Sequence, residues 1–405
     1  VIAAAHQKQG KQTSMTTILT AARLLTADQQ IDDPVLILDG PTIRGLGPRA
    51  GQALPPGQHI DYPGATLSAA YFDVHIHGCC GLDVMQATAP VLGEIGGFLA
   101  RHGVGSYFPT TITAPRDATL RSLGRLAALI QIGQNEGSES EPEGARPRGI
   151  HIEGPFLSHA KRGAHPPQDL LPPTVEFFDQ MWQAAEGQIR LMTIAPELPG
   201  ALDVIARAGS LGVRVSLGHS NATAAETEAG VAAGAHSATH TFNAMRTFDQ
   251  REPGILGVVL TEDSLYAELI CDGLHVHPTA VPLFFRAKGA DRAILITDAI
   301  SATGMPDGTY KLGDLEVRLV DGRCLIGENT LAGSTITLDA AVRNFARFTG
   351  APLATAARLA SRNPARMTGL AEEIGVLRVG GAADLVVLSP NGAVVATWLA
   401  GRRQA

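Results

Sequence analysis

IHIEGPFLSHAKRGAHP, residues 150–166, places a carboxylate, Glu153, at the end of a short apolar run and follows it at once with Gly154-Pro155. That pair ends regular structure and opens a long loop, so residues 148–152 read as a strand whose last side chain stands at a mouth. A carboxylate there suits a metal ligand, and it equally suits a residue that holds loop backbone. What the rest of the chain brings to the same place decides between the two.

On either side of this stretch, residues 68–367 alternate apolar, β-branched runs with Ala/Leu-rich helical patterns, the mark of a parallel sheet covered by helices. Eight runs qualify as strands: TLSAAYFDVHIH, VGSYFPT, RGIHIE, IRLMTIA, VRVSLGH, AHSATH, YAELIC and RAILITD. Helical patterns lie between them, among them Ala89 to His102, Ala118 to Gln131, Leu198 to Ala208 and Ala222 to Ala233. Eight such repeats predict an α/β fold, a TIM-type (β/α)8 barrel whose chemistry gathers at the C-terminal strand ends. After the eighth run, YKLGDLEVRLVDGRCLI holds two alternating segments joined at Asp321-Gly322, a hairpin signal close to the mouth. Residues 137–147, rich in Ser, Glu, Gly and Pro, read as a solvated loop.

Outside the barrel, residues 15–67 carry the β-like runs ILTAARLL, PVLILDG and TIRGLG, too few and too short to bury much apolar area alone. Residues 368–405 supply GVLRVGGAADLVVLSP and AVVATWLAGR, so both termini are expected to build one small β-sandwich domain with the barrel inserted between its parts. A chain of 405 residues, 45% hydrophobic and 18% charged, can bury one large core and a smaller one. Its 32 Lys+Arg against 39 Asp+Glu, net −7, exclude a global attraction for nucleic acid or anionic membrane, so an anionic substrate must be met locally. Four cysteines form no disulfide framework and fit a reducing cytoplasm, with Cys79 and Cys80 reading as small buried side chains. Residues 1–14 resemble neither a signal peptide nor a membrane anchor, Met15 reads as the natural start, and no later run has membrane length.

His75 and His77 stand two apart on a strand and therefore face one side. His219 ends VRVSLGH, His240 ends AHSATH and Asp298 ends RAILITD, giving polar side chains at the ends of strands one, three, five, six and eight. A single strand-end histidine is commonly structural; five strand ends converging favour a metal. Imidazole and carboxylate suit a divalent ion, Zn²⁺ first and Fe²⁺ or another as alternatives, and a hydrolytic site keeps one coordination position for water. His102, His151, His159 and His236 have no comparable placement and receive no role.

The motifs DVHIHG, HIEGPFLSHAKRGAHP, SLGHS, HTFNAM, REPGI, DGLHV, ITDAISATG and LAGS follow in order along the chain. With them the sequence resembles the N-acetylglucosamine-6-phosphate deacetylase family of the amidohydrolase superfamily, from the first small-domain strands to the last. The resemblance implies that Glu153, His219 and His240 bind the principal metal and that Asp298 is the catalytic acid/base. It implies acetyl-end contacts from Ala164, His165, Leu331, Ala332 and Gly333, and sugar-phosphate contacts from Asn243, Ala244, Arg251 and the run Asp272-Gly273-Leu274-His275. Members of the family differ at the first strand; this chain keeps both histidines, which leaves one or two ions per subunit open, a second being shared through Glu153. The implied reaction converts an N-acetylated, phosphorylated amino sugar to the free amine and acetate, in a homodimer whose Arg251 can serve the neighbouring subunit. Two other readings stay open: deacetylation of another N-acylated amino sugar, and a catalytically silent sugar-phosphate-binding barrel. A cyclic-amidase type with a carboxylated lysine after strand four is disfavoured, because Thr193 to Glu197 contains no lysine.

Overall fold

Eight parallel strands, Tyr71–Ile76, Val104–Thr111, Ile150–Glu153, Ile189–Ile194, Arg214–Leu217, Ser237–Ala238, Tyr266–Ile270 and Ala293–Ile296, pair in chain order and close on one another. The computed structural model describes residues 16–51, 54–135 and 144–404; the expectations for residues 1–14, for Met15 and for most of 137–147 lie outside the described residues. Closure is made at the mouth, where Ile76 bridges Ala299, the Asp298 amide donates to His75 O (2.9 Å) and the His77 amide donates to Ala299 O (2.8 Å). Asp73, fully buried in the first strand, stitches the same seam by accepting from the amide and hydroxyl of Thr297. The α/β class and the (β/α)8 barrel follow from runs buried on both faces, which is why they read as continuously apolar rather than alternating. The sixth strand is the shortest, two residues of the six expected.

Helices cover the barrel and share its core, with Leu123, Phe178, Val204, Ile255, Phe284 and Phe345 packed among strand residues such as Ile152, Met192, Val215 and Leu295. Their starts are set locally. The helix expected from Leu198 begins at Ala201 because Gly200 turns the chain at φ 87°, where a Cβ would meet Pro173 O at 2.5 Å. Val175–Ala184 begins where Thr174 Oγ1 accepts from the Phe177 amide, and Ala224–Ala232 opens on a capping box between Thr223 and Glu226. The end of the expected 137–147 loop is ordered: Arg146–Pro147 pairs in parallel with Ser106 and Tyr107 and feeds the third barrel strand. Among the described residues, no helix is long and apolar enough to cross a membrane.

Beyond the eighth strand, Gly308–Leu312, Leu315–Val320, Arg323–Ile326 and Thr330–Leu331 form an antiparallel meander. Its tight turn falls at Asp321-Gly322, both at positive φ (49° and 74°), the geometry a two-residue hairpin loop needs. Leu312, Val317, Leu319 and Cys324 pack on Ile112 and Ile300, holding the meander over the mouth.

Both termini build the small domain as one continuous hydrogen-bonded sheet. Gln58–Ala69 pairs in parallel with Thr17–Leu25 on one side and antiparallel with Leu385–Leu388 on the other. The sheet curls until Ile43 bonds with residues 380 and 381, enclosing Leu36, Leu67, Leu385 and Trp398, whose indole donates to Tyr62 Oη at 3.0 Å. Only Ala70 separates Gln58–Ala69 from the first barrel strand.

Candidate active site and metal centre

His75 lies in the first strand and His77 just past it, Glu153 ends the third, and His219, His240 and Asp298 each follow their strands by two residues. The last three hold left-handed backbone, at φ 47°, 28° and 51°, a conformation that costs energy in a non-glycine residue and swings each side chain back over the barrel axis. Glu153 divides its two oxygens. Oε1 lies 3.2 Å from His219 Nε2 and 3.1 Å from His240 Nε2, which are 3.0 Å from each other. Oε2 lies 3.5 Å from His75 Nε2 and 3.3 Å from His77 Nε2, which are 3.3 Å apart. Asp298 Oδ1 stands beside this second group, 3.4 Å and 3.2 Å from the same two nitrogens.

These donor sets fit a divalent ion. Bonds of about 2.0–2.1 Å at tetrahedral angles put neighbouring donors about 3.4 Å apart, matched by the 3.3–3.5 Å of the second group and a few tenths wider than the 3.0–3.2 Å of the first. His77 Nδ1 faces Thr110 O at 3.0 Å and His219 Nδ1 faces Lys161 O at 2.9 Å. A carbonyl only accepts, so each ring carries a proton on Nδ1 and turns Nε2 inward, where an ion or a second proton can be held. Electrostatics agree. Burial penalises a charged His75, yet the Glu153 and Asp298 carboxylates outweigh it and hold its pKa well above the usual value. Burial likewise opposes His77, but Asp298 and Glu153 carry it up to about 9. Burial would raise the Asp298 carboxyl, and His75 and His77 bring it below the ordinary range instead. The pocket demands positive charge.

His165 is of a different kind. The Thr113 amide points at its Nδ1 (3.4 Å), with the Thr113 hydroxyl at 2.8 Å, so Nδ1 accepts and the proton sits on Nε2, facing the cavity. Burial, with the His219 ring beside it, lowers its pKa to about 4, leaving a neutral donor. Gly154 makes room for this arrangement: at φ 86°, a Cβ there would stand 2.2 Å from Thr113 Oγ1.

A cavity of about 230 Å³ opens over the cluster. Of the residues expected to bind substrate, Ala164, His165, Asn243, Ala244, His275, Leu331 and Gly333 line it, as do His77, Glu153, His219, His240 and Asp298. Five expected contacts do not. Asp272 stands behind His275, accepting from its Nδ1 at 2.7 Å, and Gly273 turns the chain between them. Leu274 points to solvent, Ala332 is buried under the meander, and Arg251 is exposed outside the lining, with no side-chain partner among the described residues. Sequence reasoning missed Ile112, Gly163, Leu312 and Thr330 in the lining. Ile112 directly follows the second strand, so the rule that barrel chemistry collects at C-terminal strand ends could have found it. His151, given no role, lies fully buried beneath the site, edge-on to His75 at 4.6 Å, with Nε2 2.8 Å from Thr193 Oγ1. His102 and His236 face Asp339 and Arg214 elsewhere in the fold.

Residues 66–403 match the model of the Amidohydrolase family. The chain belongs to the amidohydrolase family. Among its members, an N-acetylgalactosamine-6-phosphate deacetylase of Escherichia coli O157:H7 is 38% identical over 96% of this chain and 99% of its own length. An N-acetylglucosamine-6-phosphate deacetylase of Vibrio furnissii is 36% identical over 94% and 93%. The solved structure of a D267A mutant of the Mycobacterium smegmatis N-acetyl-D-glucosamine-6-phosphate deacetylase, in complex with N-acetyl-D-glucosamine-6-phosphate, is 35% identical. It superposes with a TM-score of 0.89, covering 96% of this chain and 100% of that one. This amidohydrolase thus matches full-length relatives in both its barrel and its small domain.

Proposed function

We propose that this amidohydrolase hydrolyses the acetamide of N-acetyl-D-glucosamine 6-phosphate to D-glucosamine 6-phosphate and acetate. The observation that carries the reading is the divided Glu153 carboxylate, each oxygen facing a pair of imidazole nitrogens, with Asp298 at the edge of the same cavity. Glu153, His219 and His240 would hold the principal divalent ion, Zn²⁺ or Fe²⁺, and His75 and His77 with Glu153 Oε2 form a second donor set. When bound, such an ion acidifies water and polarises the acyl carbonyl. Asp298, kept ionised by its histidine neighbours, takes a proton from the attacking water as the new carbon–oxygen bond forms. The His165 Nε2–H donates to the oxygen on which negative charge develops. Asp298 then returns the proton to the sugar nitrogen as the carbon–nitrogen bond breaks, so atoms and charge balance.

Asn243, Ala244 and His275 line the part of the cavity assigned to the sugar phosphate. Arg251 stands outside it, near the exposed Phe248, and we assign it to the phosphate of a neighbouring copy in a homodimer. Mixing Asp298→Asn and Arg251→Ala protomers tests this: heterodimers would regain one intact site, whereas no recovery at low substrate places Arg251 in its own subunit. The free cysteines Cys79, Cys80, Cys271 and Cys324 accord with a cytoplasmic home. A second reading, favoured by the relative that matches this chain almost end to end, is the C4 epimer, N-acetylgalactosamine 6-phosphate. Acetate release should be measured on both phosphorylated epimers and on the unphosphorylated sugar, before and after chelation and metal return. No release with metal restored would leave only a sugar-phosphate-binding barrel.

A further inference from the structure

Glu268 sits in the middle of the seventh barrel strand, in YAELI, with none of its surface exposed. A carboxylate inside an apolar strand costs several kcal/mol unless something positive or hydrogen-bonding answers it, at about the level of a broken buried ion pair. Here Oε2 faces His75 Nδ1 at 3.4 Å and accepts from the His240 amide at 3.3 Å, while Oε1 is buried with no partner among the described residues. The two groups that Oε2 touches belong to the two donor sets that share Glu153. His77 and His219 have their Nδ1 atoms fixed by backbone carbonyls, and among the histidines of the two donor sets His75 is the one whose Nδ1 is met by a carboxylate instead.

We propose that Glu268 is a positioning residue that holds the His75 imidazole with its proton on Nδ1 and its Nε2 free, and so completes a second divalent-cation site at His75, His77 and Glu153. This rests on the reading of the cavity as a metal-dependent hydrolase site. A carboxylate behind an imidazole makes the opposite nitrogen a stronger donor than a carbonyl does, and removing such a group typically costs about 10- to 100-fold in ion affinity. The His240 contact is of another sort. A backbone amide needs only an acceptor oxygen, which a glutamine also provides; both contacts fall on Oε2, so Glu268→Gln keeps an acceptor for each and removes only the negative charge behind His75.

The test is a titration of metal-free protein with Zn²⁺ against a competing chelator. Wild type should bind two ions in two affinity classes. Glu268→Gln should keep one class unchanged and weaken the other about 10- to 100-fold, with the thermal midpoint within a few degrees of wild type. His75→Ala should abolish that same class, and adding Glu268→Gln to it should cause no further loss, because the two act through one ring. A purely structural glutamate would instead lower the thermal midpoint and weaken both classes alike. Two wild-type-like ions in Glu268→Gln, equal loss at both sites, or a wild type that binds one ion each overturn the proposal. In the last case undiminished acetate release would leave the hydrolase reading standing, whereas absent release with metal present would remove that reading itself.

Discussion

The two ends of the cavity are built to different standards. At the ion end every side chain is buried, His77 and His219 are pinned from behind by carbonyl oxygens, and three residues are held in left-handed backbone. At the end proposed for the sugar phosphate, the His275 side chain is buried against Asp272, but Asn243 is half-buried, Leu274 is 42% exposed, Phe248 is 55% exposed and Arg251 extends into solvent. Fixed groups aimed at developing charge need no rearrangement during reaction, so rigidity there is repaid in rate. Ordering flexible side chains on binding consumes part of the interaction they provide, so the open end governs affinity more than turnover. On the proposed function, the difference would separate a chemical end, acting through kcat, from a recognition end, acting through KM.

The sharpest way to break this division is Asp298→Asn, which keeps shape and removes the proton carrier. We expect kcat to fall by about 10³-fold, within the range for a lost general base, while metal content stays at the wild-type level by elemental analysis. Wild-type-like turnover would move the base elsewhere. Next comes His165→Gln, with an expected loss of about 10²-fold in kcat, as for a removed oxyanion donor. Because burial and His219 hold His165 near 4, it stays neutral from about pH 6 to about pH 8, and the deficit should be the same across that interval. A deficit that changes with pH there would mean the ring works as an acid. Arg251→Ala should raise KM for the phosphorylated sugar by about 10-fold, equivalent to one charge-assisted contact, and leave kcat and the unphosphorylated substrate alone. An effect on kcat would place it at the chemical end. The smallest effect is expected from Asp272→Asn, which loosens His275 without touching the cavity: a rise in KM of about 3-fold, checked by steady-state rates.

The chemical end was legible in the sequence because its groups obey a rule of position. Glu153, His219, His240 and Asp298 close apolar runs, and strand ends of a parallel barrel meet at one rim. Glu268 was not legible, since it interrupts an apolar run where nothing in the pattern says which way it points or what it faces. The proton on His165, opposite to that on His77, depends on whether an amide or a carbonyl lies behind the ring, which spacing cannot reveal. Arg251 was found as part of a motif, but a motif does not say whether its side chain reaches the cavity of its own chain. In the fold, Asp321-Gly322 announced its turn through residues that tolerate positive φ. The joining of both segments was expected, but that they curl into one continuous sheet and not a two-layered sandwich was hidden, because the hydrogen bonds of Ile43 to residues 380 and 381 leave no trace in hydrophobic pattern.

That curled sheet sets an order of events at the ribosome. Gln58–Ala69 emerges before the barrel, yet its partner Leu385–Leu388 follows it, so one border of the strand must wait unpaired while the whole barrel is made. An unpaired border invites pairing with another nascent chain. A translation product that stops before residue 385 would keep the cavity residues and lose its cover, and its expected fate is clumping or proteolysis rather than reduced catalysis.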